Sequence, residues 1–163
     1  MKTKRKHKHK RVYIHYGDDQ FVPEKFGKVR NNGVWTKPDH RSCLWASPVE
    51  SKFGWKDWCE MEGYDPTNGF DTSFRFVLKD DAHVAHIRTE EDMSKITPFI
   101  IPNSYLDFYH EYDFEKIAER YDAIELHLTE DPTGVRGQLY YLLYGWDCDS
   151  ILILNPDVVQ EVR

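Results

Sequence analysis

Four consecutive aliphatic residues, Ile151, Leu152, Ile153 and Leu154, are followed at once by Asn155-Pro156-Asp157. A run so short, β-branched at alternate positions and closed by turn residues, reads as a buried strand. Immediately ahead of it stand Asp147, Cys148, Asp149 and Ser150. Two carboxylates and a thiol at the mouth of a buried strand are either a cap for its exposed end or the working edge of a site.

With 163 residues the chain is long enough for one substantial core and short for two. Forty per cent hydrophobic and 15% aromatic residues exclude a disordered chain. Cys43, Cys59 and Cys148 are an odd count without a C-x-x-C pair. That pattern points to a reducing compartment and away from a disulfide framework or a zinc ribbon. No apolar run reaches membrane-spanning length and none follows the basic start as a secretory signal would. The expectation is a soluble, cytoplasmic protein without a membrane partner.

Charge divides the chain. Residues 1–11 hold seven Lys or Arg and no acid, which leaves 22 − 7 = 15 basic against 28 acidic residues over 12–163, a body near −13. Functionally, the arm suits contact with nucleic acid or another acidic surface. The plainer reading is a solvated, unstructured tail or an appended segment, leaving 12–163 as a single globular domain.

In chain order, strands are expected at 12–16, 43–48, 73–78, 82–87, 123–128 and 151–154, with helices over 49–62, from Thr89 onward and over 113–121. Phe21 to Phe26 reads as a short helical turn, Asn31-Asn32-Gly33 as a turn, and 97–103, with Pro98 and Pro102, as irregular. Short connections and few full crossovers predict an α+β fold with a mixed or antiparallel sheet. His83 and His86, three apart in a strand, fall on opposite faces, and the remaining histidines are scattered, so no metal is expected. The chain lacks G-x-G-x-x-G, G-x-x-x-x-G-K-S/T, H-E-x-x-H and G-x-S-x-G.

Four pieces in order resemble the ADP-ribosyltransferase superfamily: I-H-Y-G at 14–17; L-W-A-S-P at 44–48 before an aromatic helix; S-F-R-F-V-L and A-H-V-A-H-I leading into T-E-E-D; and Y-D-A-I-E at 121–125 followed by D-S-I-L-I-L-N-P-D-V at 149–158. The resemblance implies a mostly antiparallel split β-sandwich with flanking helices that cradles NAD. It assigns His15, Tyr16 and Gly17 to the first-strand motif, with His15 or Tyr16 hydrogen-bonding ribose or the nicotinamide amide. Trp45 becomes an aromatic platform, Ser47 a support, and Asp149 the stand-in for the family's glutamate at the head of a late strand. Glu125 and Glu161 are rival carboxylates.

The implied activity is NAD-dependent ADP-ribosyl transfer to a protein or nucleic-acid acceptor. A shorter acid at the glutamate position and Tyr16 between His15 and Gly17 depart from the family pattern, which keeps two alternatives open. One is a degenerate relative that binds a nucleotide or a partner protein without turnover. The other is an acidic interaction protein, viral in type, with a nucleic-acid-contacting tail.

Overall fold

The computed structural model describes residues 10–33, 36–67, 69–102 and 110–162. Most of the basic arm therefore lies outside the described residues. Its last two residues are tied down, Lys10 by an ion pair to Asp80 and Arg11 by one to Glu125.

Seven strands form one curled sheet, β1 (Tyr13–Tyr16), β2 (Leu44–Pro48), β3 (Ser73–Leu78), β4 (Val84–Ile87), β5 (Ala123–Leu126), β6 (Ser150–Ile153) and β7 (Val159–Val162), in the order β4-β5-β6-β2-β1-β3-β7. Only β4 and β5 run parallel; the other five pairs are antiparallel. The α-helices are short: α1 (Trp55–Glu62), α2 (Phe114–Ile117) and α3 (Gln138–Leu142). This is an α+β domain with a mixed sheet.

The aliphatic run supplies β6, which lies between β2 and β5 and is buried along its whole length. Strand side chains alternate between faces, so the run feeds two cores. Ile151 and Ile153 join Tyr13, Phe74, Phe76 and Val159, while Leu152 and Leu154 join Ile87, Ile117, Ile124, Leu126 and Trp146. Each fully buried aliphatic side chain contributes about 1.5–3 kcal/mol of transfer free energy, and β6 delivers it to both sides at once.

Pairing along the sheet is interrupted where it matters most. β1 and β2 are in register only at Tyr13 with Pro48 and Ile14 with Ser47. Beyond that point β2 stays with β6, pairing Trp45 with Leu152 and Ala46 with Ile151, whereas β1 stays with β3 through Tyr16. The sheet parts between His15-Tyr16 and Trp45-Ala46.

Helices are shorter than the periodicity predicts. Residues 49–53 are a turn and an irregular link, because Gly54 starts α1. α2 stops at Ile117 and relaxes into turns before β5. The segment after Thr89 winds as a 3₁₀ helix over Glu90–Lys95, with Asp92 accepting from the backbone N–H groups of Arg88 and Thr89. The C-terminal strand β7 has no counterpart in the sequence reading; it is an edge strand, paired only to β3 among the described residues.

Truncating the strand that serves both cores is the direct test of this layout. Leu152→Ala, at a site with no exposure, is expected to cost about 2–5 kcal/mol in urea unfolding. A loss under about 1 kcal/mol would mean that the Leu152 face of β6 is not a packed core.

Candidate functional site

The parting of β1 and β2 opens a cavity of about 280 Å³. β1 contributes Ile14, His15 and Tyr16, and β2 contributes Trp45, Ala46 and Ser47. The approach to β6 closes the far side with Gly145, Trp146, Asp147, Cys148 and Ser150. Trp55 and Lys37 complete the wall.

Each wall is locally fixed. The His15 ring spans the gap in the sheet, with Nδ1 at 2.7 Å from the Trp45 carbonyl oxygen. A carbonyl only accepts, so Nδ1 carries the proton and Nε2 is turned to Asp18, 3.4 Å away. Tyr16 packs edge-on against Phe70, and burial raises its phenol, which keeps it protonated as a donor. Trp45 meets Trp146 edge-to-face at 4.6 Å between centroids, leaving one side toward Lys37, whose Nζ lies 5.9 Å above the ring.

Ser47 has a mechanical task. α1 begins at a glycine, which has no side chain to cap it, and the Ser47 hydroxyl accepts from the Trp55 N–H at 2.9 Å instead. A Cβ at Gly54 would stand 3.1 Å from the Ser47 Cβ, so glycine is what lets helix and strand approach. Trp55 is thereby held at the cavity.

The loop bearing Lys37 is clamped to the segment before β6. Trp146 Nε1 donates to the Thr36 carbonyl at 2.8 Å and the Thr36 hydroxyl to the Tyr144 carbonyl at 2.6 Å. Gly145, at φ +90°, leaves room for the Lys37 stem; a Cβ there would meet Lys37 Cε at 3.2 Å.

The two aspartates ahead of β6 part company. Strand alternation predicts a shared face, but the strand starts only at Ser150 and the preceding backbone does not alternate. Asp147 lines the cavity. Asp149 is buried elsewhere, its carboxylate accepting from the Ser51 hydroxyl at 2.7 Å, the Thr129 N–H at 2.9 Å and the Thr129 hydroxyl at 2.6 Å. Asp149 thus pins two loops behind the strand head, and Ser150 occupies the cavity side.

Burial raises the Asp147 carboxyl; Lys37 opposes this and the Glu62 charge adds to it. Cys148 is a buried thiol pushed up to about 12 by desolvation, so it is not a thiolate nucleophile near neutral pH.

Of the expected residues, the fold thus brings His15, Tyr16, Trp45 and Ser47 together around one cavity. Gly17 sits just beyond β1 at φ 110°, in the left-handed half of backbone space, and donates to the Thr72 carbonyl. Neither it nor Asp149 lines the cavity. Glu125 is fully buried among other partners, and Glu161, on edge strand β7, accepts from the Phe21 N–H. Asp147, Lys37 and Trp55 complete the site without a sequence motif of their own. The only early sign for Asp147 is its place two residues before Asp149. No family model matches the chain, and neither curated proteins nor solved structures provide a match.

The aspartates separate by stability. Asp149→Ala strands three donors and is expected to cost about 2–4 kcal/mol in chemical unfolding. Asp147→Asn is expected to raise Tm at pH 7. A carboxyl raised on folding opposes stability once ionised, so this gain should vanish as pH falls below the ordinary carboxylate range near 4. Equal destabilisation by both substitutions would contradict the division of roles.

Proposed function

We propose that this cavity holds the nicotinamide-ribose half of NAD and that the protein transfers ADP-ribose to a protein or nucleic-acid acceptor. The observation that carries the reading is convergence: four residues drawn from two distant sequence motifs, His15, Tyr16, Trp45 and Ser47, line one cavity at the parting of β1 and β2. The volume suits nicotinamide and its ribose, with the adenosine half left to the open rim. The finer fold assignment, a split ADP-ribosyltransferase-like sandwich, belongs to the same proposal and is supported by the interrupted pairing.

In this reading Trp45 and Trp55 supply the aromatic surface for nicotinamide, and the protonated Tyr16 phenol donates to ribose or the amide. His15 is a positioning residue that holds β1 against β2 through the Trp45 carbonyl. Asp147, not Asp149, is the carboxylate facing the reacting centre. The bond from ribose C1′ to the nicotinamide nitrogen breaks, its electron pair leaves with neutral nicotinamide, and the ribosyl cation that develops is stabilised by the Asp147 charge. An acceptor nucleophile then bonds to C1′ and gives up its proton.

A second reading has its own observation. The head of β6 presents Ser150 to the cavity, and the Asp149 carboxylate is consumed by Ser51 and Thr129. This arrangement favours a nucleotide-binding relative without turnover.

Chromatographic detection of nicotinamide released from NAD separates the two. For the transferase, release is expected from the wild-type chain, reduced at least 100-fold by Asp147→Asn and abolished by Trp45→Ala, with Asp149→Asn retaining it to the extent that it folds. Thermal stabilisation by NAD without release would select the binding-only reading. Neither release nor stabilisation would sink both.

A further inference from the structure

A second polar centre lies among residues that do not line the cavity. His86 of β4 is in register with Glu125 of β5, and His127, two residues on, continues the ladder by donating its N–H to the Ile87 carbonyl. Glu125 and His127 therefore project to one side, with His86 beside them. Three donor atoms converge: His86 Nδ1 and Glu125 Oε2 at 3.1 Å, His86 Nδ1 and His127 Nε2 at 3.3 Å, His127 Nε2 and Glu125 Oε2 at 3.6 Å.

These edges have a specific meaning. A triangle of 3.1, 3.3 and 3.6 Å places its corners about 1.9 Å from its centre, so an ion roughly 0.6 Å off the plane is about 2.0 Å from all three. That is the zinc distance to imidazole nitrogen and carboxylate oxygen, and the arrangement is one face of a tetrahedron.

The surroundings fit a ligand set. Glu125 has no exposure, and its Oε1 accepts no hydrogen bond among the described residues, although Arg11 Nη1 is 3.1 Å away. Its Oε2 is crowded, because Tyr13 also donates to it at 3.0 Å. His127 Nδ1 stands 3.3 Å from Glu130 Oε1 and 3.2 Å from Arg11 Nη1. Metal on Nε2 would leave the proton on Nδ1 and select Glu130, giving the carboxylate–histidine–metal order that orients such ligands. Arg88, 2.9 Å from Glu130 Oε2, holds that carboxylate in turn.

An access path exists on the His86 side. His86 is 39% exposed and, with Tyr13, borders a second cavity of about 310 Å³ whose charged edge is Lys10, Arg11 and Lys79 against the single acid Asp80.

We propose that His86 Nδ1, Glu125 Oε2 and His127 Nε2 bind one zinc ion, with the fourth position open to this basic cavity for water or an anion. The proposal is independent of the NAD reading.

The test is calorimetric titration of zinc chloride into the chelator-treated full chain. One zinc per chain is expected at micromolar affinity or tighter, with His86→Ala, at a half-exposed site, weakening it at least 100-fold. Glu130→Gln is expected to weaken it about 10-fold through the lost orienting contact, and circular dichroism checks that both variants are folded. Cobalt in place of zinc should give the strong visible absorption of a four-coordinate ion, lost in His86→Ala. Because His7 and His9 in the basic arm also carry imidazoles that can ligate zinc, a His7→Ala/His9→Ala chain is the control and is expected to match wild type. Binding that disappears in that control, survives His86→Ala unchanged, or is absent at ten micromolar zinc overturns the proposal.

Discussion

β6 has no free side and no free edge: β2 and β5 take its backbone, and the side chains of Ile151 to Leu154 are divided between two cores. Everything at the cavity is referenced to that strand. β2 stays paired with β6 at Trp45 and Ala46 and β1 stays paired with β3 through Tyr16, while the pairing of β1 with β2 stops at Ile14 and Ser47. The cavity lies where the ladder between β1 and β2 ends. The hydrogen bond from His15 to the Trp45 carbonyl replaces the backbone pairing lost there.

The same strand explains why neighbouring acids do different work. Asp149 precedes β6 directly, and three donors from Ser51 and Thr129 consume its carboxylate. Asp147, two residues earlier, is left half-buried at the cavity, its carboxyl raised by desolvation against the opposing charge of Lys37. Asp149 is stabilising where it stands. Asp147 opposes stability when ionised.

Much of the fold was legible because buried strands announce themselves: the 73–78 strand is found within its expected bounds, and the others lie within one to two residues of theirs. Helix lengths were not, since Gly54 and the turns after Ile117 cut short patterns whose periodicity runs on. β7 escaped notice because Val159-Gln160-Glu161-Val162 lacks strict alternation and follows directly on a turn. At the cavity, the residues on regular strands, His15, Tyr16, Trp45 and Ser47, could be grouped from motif order. Asp147 could not be separated from Asp149, because face assignment by alternation fails outside a strand. The histidine cluster was hidden for another reason: Glu125 on β5 and His127 just beyond its end project together, but His86 joins them only through parallel pairing of β4 with β5, 39 residues from Glu125.

The central claim is that the parting of β1 and β2 is a nicotinamide nucleotide site, and a crystal structure of the chain grown with NAD tests it most directly. The nicotinamide ring is expected against Trp45, and ribose C1′ within contact distance of the Asp147 carboxylate, while Asp149 keeps its bonds to Ser51 and Thr129. NAD ordered at a different place on the molecule, or a cavity closed by side chains with NAD in large excess, would contradict it.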